Sequence, residues 1–424
     1  MITHRRVIAR SMGLVALIAA GSLLVSGCTR GGTPAASESS GEIATSPGFD
    51  GETISLGLIT VTSGPIAPVS APLIAAQQAW AKWVNANGGI EGYKVELNIT
   101  DSGYNPAQAI QQYERTKGDV AMYANIFGTP IALTLMEQLQ TDDILALVGT
   151  GEGSLLRAPN AILAFTPYQS QIIEGVATGM SELDTDDPTV CGAGLEGPLT
   201  ENTQAALEFA EDELGYTLGP VVSVSQTSTD ATPQILQLQA AECDLVAIQG
   251  VPAVTTGLLS AAAKLGWEPQ WTTSVTGWEA IFEDNPIYDY AQKNLFITAD
   301  VVPFGYESAE GMSALVEAHD EYTPDVAPTA PYVSGWTQML AVQSVLEEAI
   351  KRGDLSHAGL VEASSALSTF DLQGIGAAWG WGEPADRTPP TTFNVYRPDA
   401  SVESGLGLVE ADVPAPDAAV NYPY

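Results

Sequence analysis

Short β-rich runs alternate with longer segments of helical period along most of this chain, and that rhythm restricts it to an α/β architecture with parallel sheets. The first series reads Ile54–Thr60 as strand and Pro72–Asn85 as helix, then Lys94–Asp101 and Pro106–Lys117, then Val120–Asn125 and Pro130–Gln140, with Ile144–Gly149 as a further strand. A second series opens near Thr189: strand Thr189–Gly192, helix Thr200–Leu214, strand Val221–Ser225, helix Pro233–Ala241, strand Asp244–Gln249, helix Ala253–Leu265, strand Gln270–Ser274. A strand at Leu295–Val302 then leads into two long helices, about Ser308–Tyr322 and Pro331–Lys351. The pattern predicts two α/β sheets joined by more than one crossing, and 45% hydrophobic residues with eight Trp in 424 residues supply core for two domains.

The opening segment reads as an export signal. A basic cluster (His4, Arg5, Arg6, Arg10) precedes an apolar stretch from Met12 to Val25, which ends in Leu24-Val25-Ser26-Gly27-Cys28. The apolar stretch is shorter than the roughly 20 residues that cross a bilayer. Its ending resembles the bacterial lipobox, in which cleavage before Cys leaves a thiol and an amine for acylation, so residues 1–27 are expected to be removed and Cys28 to carry lipid. Thr29–Gly51, rich in Gly, Ser, Thr, Ala and Pro without apolar period, is expected to be a flexible tether. No later segment approaches the length of a membrane span, so this lipid is the expected membrane attachment.

A formal net charge of −36 repels nucleic acid and anionic headgroups, which excludes both as partners. With Cys28 assigned to lipid, Cys191 and Cys243 remain, and in an oxidising compartment they read either as a disulfide or as two buried thiols. Neither His319 nor His357 sits at ligand spacing from a Cys, so no metal is expected.

Several loops stand at the carboxyl ends of predicted strands, the edge where open α/β sheets bind ligands. Ser63-Gly64-Pro65 follows the first strand, Thr129-Pro130 the third, and Gly149-Thr150-Gly151-Glu152-Gly153 the fourth. Thr129 suits a helix N-cap and Pro130 the first helical position, and backbone N–H groups there favour an anionic or acceptor group. In the second series Glu196-Gly197-Pro198-Leu199, Gly250-Val251-Pro252 and Thr276-Gly277-Trp278 hold the equivalent places. Asn87-Gly88-Gly89 ends its helix as a left-handed cap.

The stretch "ISLGLITVTSGPIAPVSAPLIAAQQAWAKWVNANGGIEGYKVELNITDSGYNPAQAI" resembles the opening of type I periplasmic binding proteins of the leucine/isoleucine/valine-binding family. That pattern runs strand, Thr/Ser-Gly-Pro loop, amphipathic helix ending in Asn-x-x-Gly-Gly-Ile, Gly-x-x-Val/Ile-Glu-Leu, and an Asp before a Pro-Ala-x-Ala helix. The resemblance continues through "FTPYQSQIIEGVA" and "DLQGIGAAWGWGEPADRTPP", covering about Glu52 to Arg397. It implies a two-lobed fold, each lobe a parallel sheet flanked by helices, joined by a multi-strand hinge. The implied first lobe is 52–165 plus 303–368, the second 166–302 plus 369–410, with 411–424 a tail.

The resemblance also implies a binding site between the lobes. Ser63, Val69, Phe127, Gly128, Thr129, Thr150 and Glu152 would meet the ligand from the first lobe, and Pro198, Val251, Thr276 and Trp278 from the second. Glu152 stands about where the family usually has Thr. A carboxylate there either pairs with an amine or accepts from hydroxyls, and it would repel a ligand carboxylate, which argues against a branched-chain amino acid; the other reading is a solvated loop acid. Trp278 either covers a flat or apolar group or packs within its lobe.

One rival signal is Gly192-Ala193-Gly194-Leu195-Glu196-Gly197, a literal dinucleotide fingerprint after a strand. Pro198 and Leu199 separate it from its helix, and the next strand ends in Gln226-Thr227 rather than an acid, so nucleotide binding is not expected. With no Gly-x-Ser-x-Gly elbow, no P-loop and no His near a nucleophile, hydrolase chemistry lacks its parts. The expected function is capture of a small polar or amino-acid-like solute, without catalysis or cofactor, by a monomer that delivers it to an ABC transporter permease. The alternative is a ligand-sensing receptor of the same fold. The paucity of Lys and Arg argues against phosphates and polycarboxylates.

Overall fold

The computed structural model describes residues 43–64, 66–225, 228, 230–278 and 285–424. Cys28, with the expected leader and lipid, lies outside the described residues. The first lobe is built from β1 (Thr53–Thr60), α1 (Ala67–Ala86), β2 (Lys94–Asp101), α2 (Pro106–Thr116), β3 (Met122–Phe127), α3 (Thr129–Thr141), β4 (Ala146–Gly149) and β5 (Ala161–Leu163). Its five strands pair in parallel in the order β2-β1-β3-β4-β5. β3 is buried at every position, the polar Asn125 included, as a central strand between two parallel neighbours requires. α2 starts where Asn105 accepts from the amides of Ala107 (2.9 Å) and Gln108 (3.2 Å) and Pro106 takes the first helical position.

The chain crosses to the second lobe after β5 and forms α4 (Tyr168–Met180), β6 (Thr189–Leu195), α5 (Pro198–Leu214), β7 (Thr217–Val224), α6 (Thr232–Ala240), β8 (Leu245–Gln249), α7 (Pro252–Leu265), β9 (Gln270–Ser274), α8 (Tyr288–Asn294) and β10 (Leu295–Ala299). It returns for α9 (Met312–Tyr322), α10 (Ala330–Arg352) and α11 (His357–Ala366), where α9 and α10 pack on α1 and Trp336 of α10 meets Trp83 edge-on at 5.9 Å. A last crossing supplies β11 (Thr392–Pro398), β12 (Leu406–Pro414) and α12 (Asp417–Val420). The second sheet has seven strands in the order β12-β11-β10-β9-β8-β6-β7, parallel except that β11 and β12 run antiparallel.

Cys191 in β6 is bonded to Cys243, just before β8, with Cα atoms 5.9 Å apart. The bridge therefore joins neighbouring parallel strands rather than leaving two buried thiols. The dinucleotide-like glycine run has a packing explanation: a Cβ on Gly194 would fall 2.4 Å from Thr200 Cα, so the glycine lets α5 lie close against β6.

Two expectations need correction. Residues 43–51, read as the end of a tether, are built into the first lobe: Ile43 and Phe49 are buried, Phe49 meets Tyr93 edge-on at 5.1 Å, and Ser46 Oγ donates to Leu355 O at 2.9 Å. Two isolated apolar anchors in a polar stretch carry no period, which is why the sequence hid them. Residues 411–424, read as a tail, complete β12 and α12. Ala418 and Ala419 are buried against α4 and α5, and the Tyr424 hydroxyl lies 2.5 Å from Ser170 Oγ.

The crossings are laced together. Val301 bridges Gly376, the Ala377 amide donates to Asp300 O at 2.7 Å, and Asp300 Oδ2 accepts from Thr166 N and Thr166 Oγ1 at 3.0 and 3.1 Å. Burial pushes the Asp300 carboxyl up, against those two hydrogen bonds. Glu174 on α4 is buried beside it, pushed well above the usual carboxyl range by burial and then by Asp300, and its Oε1 has no hydrogen-bond partner among the described residues. The folded chain thus holds a proton that the unfolded chain releases above the ordinary Glu value of 4.5. The resulting stability is present below that value and is lost as pH rises toward the folded pKa. Glu174→Gln, neutral at every pH, is expected to raise the unfolding free energy at pH 8 by about 1–3 kcal/mol and to flatten its fall from pH 5 to 8. Urea titrations across that range check this; an unchanged slope would sink it.

Candidate functional site

A cavity of about 100 Å³ lies between the lobes at the carboxyl edges of both sheets. The first lobe contributes an apolar wall from the start of α1 (Ile66, Val69, Leu73), from the end of β3 (Phe127) and from Phe165 at the first crossing. The second lobe faces it with Leu195, Leu199, Val251, Val275 and Trp278. Pro331 at the head of α10 closes one side.

The polar groups are few. Thr129 Oγ1 lies 2.7 Å from Thr150 Oγ1, and each is 3.2 Å from the Tyr168 hydroxyl, so a buried triangle of hydroxyls stands at the N-terminus of α3. Gly128 is needed to bring that terminus in: its φ is +104°, and a Cβ there would sit 2.5 Å from the Tyr104 ring. Burial and then the neighbouring Tyr168 push the Tyr104 phenol up to about 12, so it stays a neutral hydrogen-bonding group. Across the cavity Gln249 Nε2 donates to Thr276 Oγ1 at 3.4 Å, and Thr276 Oγ1 lies 2.7 Å from Ser274 Oγ. Trp278 is buried at 4% exposure, and its Nε1–H has no acceptor among the described residues. No Lys, Arg, His, Asp or Glu lines this cavity among the described residues.

Of the residues expected from the sequence, Val69, Phe127, Gly128, Thr129, Val251, Thr276 and Trp278 line the cavity. Thr150 stands one layer behind, supporting Thr129. Ser63 is exposed and donates to Asp101, whose carboxyl is held below the usual range because that bond and the amides of Gly103 and Thr62 outweigh its partial burial. Pro198 is exposed at the first position of α5. Glu152 does not line the cavity: Oε1 accepts from Ser154 N (3.3 Å) and Oγ (2.9 Å), and Oε2 accepts from Asn202 Nδ2 of the opposite lobe at 3.1 Å. Gln169 Nε2 in turn donates to Asn202 Oδ1 at 2.9 Å. The carboxylate is therefore hydrogen-bonded across the lobes and turned away from the cavity lining.

Sequence reasoning missed Tyr104, Tyr168, Phe165 and Gln249. The last ends β8 and followed the same strand-edge rule; the tyrosines belong to a loop and a crossing that no periodicity marks.

A family model for periplasmic binding proteins matches residues 53–403, most of the chain and both sheets. The chain belongs to the periplasmic binding protein family. Solved structures repeat its type I two-sheet arrangement. A fatty acid ABC transporter substrate-binding protein from Thermomonospora curvata superposes with a TM-score of 0.81 at 22% identity, covering 90% of this chain and 97% of that one. A branched chain amino acid ABC transporter protein from Thermus thermophilus with bound valine gives 0.74 at 16% identity, covering 87% and 98%. A solute binding protein of R. palustris in complex with 4-hydroxybenzoate gives 0.70 at 16%, covering 86% and 98%. At these identities the likeness is one of fold. No curated protein sequence matches this periplasmic binding protein. Among its described residues no helix is long and apolar enough to cross a membrane.

Proposed function

We propose that this chain is the extracytoplasmic solute-binding component of an ABC transporter, anchored through lipid on Cys28 and acting as a monomer. The observation that carries this reading is the cavity itself, walled by residues of both lobes at the strand edges where α/β sheets bind ligands. A solute held by Thr129 and Tyr168 on one side and by Thr276 and Trp278 on the other interacts more strongly with the closed arrangement than with an open one. That difference is the driving force for closure, and closure gives a permease a surface to recognise. The named structural relatives, described as ABC transporter proteins that bind fatty acid, valine or 4-hydroxybenzoate, support the class of function. Among its described residues the cavity offers hydroxyl, amide and apolar groups to a solute.

A thermal-shift screen of the chain from Thr29 onward checks this. A solute at 100 times its Kd is expected to stabilise the protein by about 2.7 kcal/mol. A panel of amino acids, amides, aromatic and aliphatic acids, sugars and polyols that gave no shift would remove the reading.

A further inference from the structure

A second cavity adjoins the first. Val69, Trp278 and Pro331 line both, so these three residues stand between the two. The second cavity, of about 100 Å³, is otherwise walled chiefly by Pro68, Pro72, Pro252, Ala330 and Leu406. Its hydroxyls are Ser404, engaged with the backbone of Leu406 at 3.3 Å, and Thr329, whose Oγ1 has no partner among the described residues. Among the described residues no charged side chain lines either cavity. The hydroxyl triangle at Thr129 and the Thr276–Gln249 pair thus belong to the first cavity, while the second continues the apolar wall. A compact solute would fill the first and leave the apolar surface of the second in water.

We infer that the site is elongated and takes an aliphatic amphiphile: one hydrogen-bonding head at Thr129, Tyr168 and Thr276, and a hydrocarbon chain running past Trp278 into the second cavity. The inference rests on the solute-capture reading and specifies the solute. The head meets hydroxyls and an amide rather than a fork of charges, so affinity comes mainly from the chain. Each buried methylene is worth about a fourfold gain.

Calorimetric titration of the soluble protein with butyrate, octanoate and dodecanoate, each below its micellar concentration, tests this, with leucine, valine and a polyol alongside. Affinity is expected to climb about fourfold per added methylene until the second cavity is full, with octanoate ahead of leucine. Thr329→Trp fills the second cavity from a helix cap that makes no side-chain capping bond. It is expected to weaken dodecanoate at least tenfold and leave butyrate unchanged. Pro68→Trp, on the exposed lip, gives the same readout if Thr329→Trp fails to fold. Affinity independent of chain length, tighter binding of an amino acid or polyol, or dodecanoate binding indifferent to both variants overturns the inference while solute capture stands. Silence across the acids, amino acids and polyols and the wider solute panel removes both.

Discussion

Replacing Arg387 with Met is expected to lower the unfolding free energy by more than about 3 kcal/mol, at an unchanged denaturant slope. Arg387 is fully buried, and its hydrogen bonds among the described residues go to backbone carbonyls. Its Nη1 donates to the carbonyls of Leu156 (3.2 Å), Ala158 (2.8 Å) and Ala161 (3.0 Å), its Nε donates to Gly382 O (3.2 Å), and the guanidinium lies 4.2 Å from the Trp381 ring centre. Burial lowers its pKa to about 10, which leaves it charged at neutral pH. Met retains most of the volume and none of the donors, so several buried carbonyls lose their partners together. Arg157 adds bonds to Pro384 O and Ala385 O at 3.1 and 3.0 Å, so the two arginines fasten residues 382–387 to the segment between β4 and β5. Lysine at 387 should fall between the two, since its ammonium cannot reach carbonyls spread over a fork. Urea unfolding of the three proteins decides the matter; a loss for Arg387→Met under about 1 kcal/mol would show that water replaces the guanidinium.

Asn202→Ala is expected to open the unliganded lobes and weaken solute binding about tenfold, mainly through faster release. Asn202 stands on α5 and is not among the described residues that line the cavity. Its amide joins Glu152 of the first lobe to Gln169 of α4. A hydrogen bond to a charged carboxylate is worth about 1.5–3 kcal/mol, and in the solute-capture reading this one exists only while the lobes are together. Its loss subtracts from closure and therefore from apparent affinity. Spin labels on α2 and α6 read the lobe separation without a ligand, and stopped-flow release of the solute found by screening reads the second effect. If the distance distribution of Asn202→Ala matches that of the parent, the Glu152–Asn202 contact is hinge packing rather than a clasp.

Much of the first lobe was legible from local signals. The strands from β1 to β4 and the helices from α1 to α3 fall within a few residues of the runs that periodicity predicted, because strand alternation and helical period are local properties of the chain. What escaped notice had short or mixed signals. β5 has only the residues Ala161–Leu163, and α4 is buried on so many sides that its apolar stripe vanishes. β11 and β12 are antiparallel additions after the last crossing, outside the strand-helix rhythm. The segments around Phe49 and Tyr424 dock through single aromatic rings, and one ring makes no pattern.

Glu152 shows where sequence reasoning about the site stopped. Its position after β4 marked it as near the strand edges, which is so. Whether its carboxylate turned toward the cavity or toward α5 depended on Ser154 and Asn202, the latter 50 positions away in sequence.

By itself, then, the sequence determined two parallel α/β sheets and the loops that end their strands, since these follow from short-range pattern and capping, while the family resemblance it carries pointed to seven residues that come to face one cavity. Only the tertiary structure decided which strand-edge groups meet across the lobes, that Tyr104 and Tyr168 join them, and that a second apolar cavity opens past Trp278. Those outcomes rest on how the laced crossings seat one lobe against the other, and that packing is fixed by contacts between residues far apart in the chain.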